Sequence, residues 1–381
     1  MTEPRNGYEF LKRLAEEKNK ERHSFNDLFE YLNIKARKQG VPLIGQFELT
    51  PLCNFNCKMC YVHLTKEQMH DQPLLTVDQW KEIIRQACEA GMIRATISGG
   101  ECLTYPGFKE IYLYLQELGC EIEVLTNGAL IDEEWVHFFQ EHMPIQMQIT
   151  LYGGDEEAYE RVTGQRKYKT VVENIRLLNE AHIPVKLTVT PNKYLGEGVF
   201  ETIRIGKSIN KACLINAALF SPREETGRSD HEDDLDIDTY IRIYNYRDEL
   251  DGREYHEVPE EKLPPIGGNS HECKECGLKC GGGRSSFDID WKGVMTPCTQ
   301  LPMIKSYPLK DGFKEAWKSI NQVAESWPRV PECDGCAYES VCFNCAAQML
   351  RVTKPGKQPI ALCERTKYLV QHGAWQISGC E

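Results

Sequence analysis

The stretch LIGQFELTPLCNFNCKMCY, residues 43–61, carries two signals in close succession. A β-rich run, LIGQFELT (43–50), passes directly into three cysteines, Cys53, Cys57 and Cys60, in the spacing CxxxCxxC. Downstream, β-rich runs recur as IRATIS (93–98), EIEVLT (121–126), IQMQITLY (145–152), VKLTVT (185–190) and CLINAALF (213–220), separated by amphipathic stretches. In one of these, residues 77–89, Thr76 and Gln79 form a capping box ahead of an apolar face made by Trp80, Ile83, Ile84 and Ala87. Six strands alternating with helices predict an α/β fold with a parallel sheet. Right-handed crossovers curl such a sheet toward a barrel or a doubly wound sheet, and ligands bind at the C-terminal strand ends. The triplet therefore falls where chemistry is expected.

Residues 1–42 carry helical patterns, FLKRLAEE and FNDLFEYLNIKAR, which predict helices laid over the α/β region. Beyond Phe220 the pattern breaks down. SPREETGRSDHEDDLDID (221–238) reads as a solvated acidic crossover, TYIRIYNYRDEL as a short amphipathic piece, and PEEKLPPIGGN (259–269) as a domain boundary. The expected organisation is a helical extension at 1–42, a core at 43–225, a bridge at 226–270 and a cysteine-rich unit at 271–381 that owes its order to metal sites.

The 381 residues include 57 acidic and 45 basic side chains, a net charge of −12, which argues against a broad basic surface for nucleic acid or anionic membrane. No run of 18 apolar residues is present, and the N-terminus shows no signal-peptide h-region. A cytoplasmic location is expected, and 17 cysteines in a reducing compartment point to metal or redox chemistry rather than disulfides. Cys88, Cys102, Cys120 and Cys213 stand apart from the others and read as packed core thiols.

Three thiolates on one short loop can hold three irons of a cubane cluster and leave the fourth open to substrate or cofactor. A zinc site is the alternative, but it usually wants four closed ligands, and only His63 stands near enough to supply one. CxxxCxxC followed by an aromatic residue, at the end of the first strand of a βα-repeat region, resembles the radical S-adenosylmethionine (radical SAM) superfamily. The next strand ends in Ser98-Gly99-Gly100-Glu101, similar to that family's GGE element, which holds the methionine amino group of AdoMet. LTNGAL (125–130), TLYGGDEEAYERVTG (150–164) and TPN (190–192) follow in order. The resemblance implies a partial (βα)6 barrel, a [4Fe–4S] cluster on Cys53, Cys57 and Cys60, and AdoMet bound near Tyr61, Gly99, Gly100, Glu101, Asn127, Thr150, Arg161 and Asn192. It also implies reductive cleavage of AdoMet to a 5′-deoxyadenosyl radical, with the electron supplied by a reductase, flavodoxin or ferredoxin.

The C-terminal array reads Cys273-x2-Cys276-x3-Cys280, Gly293-x4-Cys298, Cys333-x2-Cys336-x5-Cys342-x2-Cys345 and Cys363. With GGGRSSFDIDWKGVMTPC (281–298), it resembles the SPASM extension of peptide-acting radical SAM enzymes, in which a β-hairpin carries the Gly-x4-Cys. By that resemblance Cys280, Cys298 and Cys345, completed by Cys276 or Cys273, would bind one auxiliary iron–sulfur cluster. Cys333, Cys336, Cys342 and Cys363 would bind a second, although the family's last short spacing is usually Cys-x3-Cys. Read without the upstream motifs, the same spacing suits a pair of zinc ribbons in a non-catalytic binding protein. Cys380 is incidental by position, and Cys102, beside Glu101, is read as packed.

These readings converge on an enzyme that oxidatively modifies a peptide or protein, by thioether or C–C cross-linking or related C–H functionalisation. Within the family the rivals are a haem- or quinone-cofactor maturase and an anaerobic sulfatase-maturating enzyme. The last carries an aspartate immediately after the hairpin cysteine, where this chain has Thr299. Some 42 residues precede the first strand, fewer than a leader-recognition module needs, so either leader binding falls to a separate protein or the substrate has no leader.

Overall fold

The computed structural model describes residues 25–210, 213–216, 219–227, 235–254, 256–268, 276–342 and 345–377. The expected helix FLKRLAEE, and Cys273 and Cys380, lie outside them. Helix α1 (Phe25–Gln39) precedes β1 (Ile44–Glu48), α2 (Val77–Glu89), β2 (Arg94–Ser98), α3 (Phe108–Glu117), β3 (Glu121–Thr126), α4 (Glu133–Glu141) and β4 (Gln146–Leu151). There follow α5 (Glu156–Thr163), α6 (Tyr168–Glu180), β5 (Val185–Val189), α7 (Gly198–Ile209), β6 (Leu214–Ile215) and α8 (Ile237–Leu250). The C-terminal region holds β7 (Ser286–Ile289), β8 (Met295–Thr296), α9 (Pro308–Asp311), α10 (Phe313–Glu325), α11 (Ala346–Leu350) and α12 (Ile360–Gln371).

All six expected strands form, in the order β6-β5-β4-β3-β2-β1, each parallel to its neighbour. The capping box at Thr76 closes as read, and Trp80, Ile83, Ile84 and Ala87 are the buried face of α2. Along the strands side chains alternate. Phe47, Ala95, Ile97, Val124, Met147, Ile149, Leu187 and Val189 are buried beneath the helices in one continuous core. The intervening residues, polar apart from Leu125, point to the other face, where Thr96 and Gln146 both donate to Glu123 (3.3 and 2.7 Å). The concave side of the sheet is thus a polar lumen with an apolar jacket.

The cysteine-rich region joins the same sheet. Strand β7 pairs in parallel with β1, Gln46 opposite Asp288 and Phe47 opposite Ile289, and β8 returns antiparallel to β7 as the expected hairpin. Gly293 makes its turn with φ of 80°, a value that favours glycine, and its N–H donates to Asp290 O (2.8 Å). Phe287 packs edge-on against Phe47 and Phe313, so the core also runs without a break from the barrel into the C-terminal region. Among the described residues no helix is long and apolar enough to cross a membrane.

Candidate active site

The loop leaving β1 is pinned on two sides. Gly100 N–H and Glu101 N–H, at the end of β2, donate to Thr50 O (2.7 Å) and Leu52 O (2.9 Å). Asn56 and Lys58 donate to the last carbonyls of α5, those of Thr163 and Val162 (both 3.0 Å). Held this way, Cys53, Cys57 and Cys60 all line one cavity of about 600 Å³ over the C-terminal strand ends. Cys53 Sγ accepts the N–H of Phe55 (3.3 Å) and Cys60 Sγ that of His63 (3.2 Å). Burial pushes the Cys53 thiol up to about 12 and the Cys57 thiol upward as well, with neighbouring thiolates adding to both. Thiols this reluctant to ionise become thiolates when a cation sits among them, and N–H groups aimed at sulfur suit cluster ligands. Among the described residues no three Cys, His, Asp or Glu side chains close round a single point tightly enough for one metal ion. The triplet supplies three thiols, one fewer than the four closed ligands of a structural zinc site. His63 turns its Nδ1 to Phe55 O (3.3 Å) and stands on the cavity wall, its pKa lowered by burial.

The GGE element works partly through backbone proximity. A Cβ on Gly100 would stand 2.5 Å from the carbonyl oxygens of Pro51 and Leu52, and one on Gly99 2.9 Å from Thr50 O. Both glycines line the cavity, but the Glu101 carboxylate does not. It is buried, receiving Asn127 N–H (2.7 Å), Thr126 Oγ1 (2.8 Å) and Leu103 N–H (3.2 Å), and ties the end of β2 to the end of β3. Cys102 behind it is fully buried and donates to Leu125 O (3.2 Å), as a packed thiol does.

Of the other residues singled out by motif, Tyr61, Asn127 and Thr150 reach the cavity wall. Tyr61 packs edge-on against Phe220, ring centres 5.1 Å apart. Asn127 Nδ2 donates to Asn54 Oδ1 (2.7 Å) and reaches Cys53 Sγ (3.7 Å), coupling the Asn-Gly turn to the cysteine loop. Arg161 and Asn192 do not line it. Arg161 donates to Tyr194 O (2.8 Å), and Asn192 caps the turn after β5 by accepting the N–H groups of Tyr194 (3.0 Å) and Leu195 (3.3 Å). These two shape the loop behind the site.

The C-terminal thiols form two groups. Cys298 and Cys345 line the same cavity as the triplet. Cys280 and Cys345 lie near enough to Cys298 to help burial and Asp288 push its thiol up to about 12. Cys276 is exposed and off that wall. Cys333, Cys336, Cys342 and Cys363 surround a separate small pocket, where the Thr366 hydroxyl reaches Cys342 Sγ (3.7 Å). The four cysteines that the resemblance groups are thus brought together around one pocket.

The motifs missed much of the wall. Gln46, Gln148 and Thr188 line it from inward positions of β1, β4 and β5, and Thr188 Oγ1 is buried without a partner among the described residues. Alternation was the available signal: a polar residue between two apolar ones in a strand jacketed by helices must face the lumen. Asp288, Thr299 and Gln300 enter from the hairpin, and Phe220 from the stretch leading into the acidic crossover. That crossover is not wholly solvated, since Arg223 reaches in to pair with buried Glu48 through both nitrogens (2.7 and 2.5 Å).

Comparison with known proteins agrees with this fold. Residues 47–201 match the radical SAM superfamily. The chain is 24% identical over 335 residues to the AdoMet-dependent heme synthase of Methanosarcina barkeri, covering 82% of this chain and 94% of that protein. It is 26% identical over 348 residues to the antilisterial bacteriocin subtilosin biosynthesis protein AlbA of Bacillus subtilis, covering 86% and 72%. In fold it resembles Streptococcus suis SuiB, solved with the precursor peptide SuiA (TM-score 0.63, 17% identity, 90% and 82% covered). It also resembles anSMEcpe with bound AdoMet (TM-score 0.64, 16% identity, 87% and 96% covered).

Proposed function

We propose, from the premise that this chain is an enzyme of the radical SAM superfamily, that it oxidatively modifies a peptide or protein by functionalising a C–H bond, as in thioether or C–C cross-linking. The observation that carries the reading is the single cavity lined both by Cys53, Cys57 and Cys60 and by Cys298 and Cys345. When bound, a reduced [4Fe–4S] cluster with AdoMet supplies the hydrogen-abstracting power. The triplet would hold the cluster, with Gly99, Gly100, Tyr61, Asn127 and Thr150 as the wall nearest the cofactor. Phe55, Tyr152 and Phe220 make much of the remaining wall apolar and limit water. Cys280, Cys298 and Cys345 would hold one auxiliary iron–sulfur cluster, completed by Cys276 or Cys273, and the Cys333 quartet a second, giving an oxidation a route for the released electron. A flavodoxin- or ferredoxin-type donor in the cytoplasm would supply the initiating one.

Haem formation is the second reading, because the archaeal heme synthase aligns over 94% of its length. The cavity favours a peptide. Haem and its precursors carry carboxylates, and among the described residues the wall has no Lys or Arg to receive them. Sulfatase maturation loses support from Thr299, which stands where that group has an aspartate.

Anaerobically purified protein should hold about eight to twelve irons per chain, and AdoMet with a reductant should yield 5′-deoxyadenosine. Replacing Cys53, Cys57 and Cys60 by alanine together should abolish that product. Protein that carries zinc and no iron would overturn the enzymatic reading.

A further inference from the structure

We propose that Asp288 is the residue that selects the substrate, its carboxylate receiving N–H donors from a cationic segment of the bound peptide. The inference deepens the peptide-modifying reading and rests on it. Asp288 sits on β7 opposite Gln46, and its neighbours Phe287 and Ile289 are buried on the other face. Its side chain therefore points into the lumen, where it is the one Asp, Glu, Lys or Arg on the cavity wall among the described residues.

The other charges nearby are already engaged. Glu48 is held by both nitrogens of Arg223, Lys292 pairs with Glu225 (3.0 Å), and Asp290 accepts the Lys292 and Val294 N–H groups (2.9 and 3.0 Å) within the hairpin turn. Asp288 receives one hydrogen bond among the described residues, from Thr299 N–H to Oδ2 (2.6 Å), which fixes the carboxylate and leaves Oδ1 for a ligand. A carboxylate half removed from water with one donor is costly unless a further donor arrives. Ammonium and guanidinium groups make the strongest such bonds. With no cation on the wall and cysteine ligands adding negative charge, an acidic segment meets only repulsion, so discrimination has an attractive and a repulsive part.

The test is selection of a randomised dodecapeptide library on anaerobically prepared, immobilised full chain, wild type against Asp288→Asn, with the binders sequenced. Nonspecific attraction of cations to a chain of net charge −12 is common to both proteins. Wild type should enrich Lys and Arg over Asp and Glu at one or two positions by about tenfold, the worth of one charge-assisted hydrogen bond. Asp288→Asn should lose most of that enrichment, and Asp288→Lys should reverse it. Equal enrichment by wild type and Asp288→Asn overturns the proposal and leaves the peptide reading standing. So does a fall in AdoMet affinity in Asp288→Asn with peptide preference unchanged, which would assign the carboxylate to the cofactor. No enrichment over bare resin by any of the three proteins overturns the peptide reading and this proposal with it.

Discussion

A Cβ placed on Gly100 stands 2.5 Å from two backbone oxygens, which cannot yield as a flexible side chain would. Gly100→Ala must therefore push the cysteine loop off β2, and the expected cost is about 1–3 kcal/mol by urea unfolding, together with a loss of bound iron. Asp288 makes a prediction of a different kind. Burial, opposed by the Thr299 N–H bond, raises its carboxyl to about 7, against about 3.9 in an unfolded chain. Between those values the folded state holds a proton that the unfolded state has released, so stability falls as pH rises from 4 to 7. Asp288→Asn removes that penalty. Without bound peptide, the variant should gain about 2 kcal/mol on the wild type between pH 5 and pH 8, read as a widening difference in Tm. A bound cation would hold the carboxylate ionised and shrink the difference.

Single elements were legible where their signal was local. Strands β1 to β5 were visible as short β-rich runs, because apolar residues under helices and polar residues in the lumen alternate within five or six positions. The α2 capping box needs only residues 76 and 79. The grouping of Cys333, Cys336 and Cys342 with Cys363 came from the resemblance and not from spacing, since Cys345 stands nearer in the chain. The pairing of β7 with β1 was not, since its register is set across some 240 residues by Phe287 packing on Phe47, and no local pattern encodes that contact. For the same reason nothing local marks Asp288, and Arg223 lies inside an acidic run. The Glu48–Arg223 pair is what the run conceals. It ties the end of β1 to the crossover, with Glu48 almost wholly buried. Glu48→Gln or Arg223→Met alone leaves a charge without its partner and should cost about 3–5 kcal/mol, whereas the double change should cost clearly less than the sum. Additive losses in a denaturant-unfolding cycle would mean that the two act independently.

At the scale of the whole chain, apolar burial is unevenly spread. One core extends from β1 through α7 and on to Phe313, Trp317 and Ile320 of α10. Beyond α10 the packing is sparser: Ala347 of α11 reaches the main core, Tyr338, Val370 and Ile377 form one small cluster, and Leu369 and Ala374 another with Tyr240 and Ile241 of α8. Clusters of three or four residues offset little of the conformational entropy of ordering some fifty. The segment from Cys333 to α12 instead surrounds the pocket of Cys333, Cys336, Cys342 and Cys363, so its order is expected to come from the bound metal. Replacing those four cysteines by alanine should remove about four irons per chain. Limited proteolysis should then cut between residues 330 and 371, while the barrel keeps its circular-dichroism signal and the triplet its share of the iron. If that segment resists protease as well without the quartet as with it, packing rather than metal holds it, and the second site is not what orders this end of the chain.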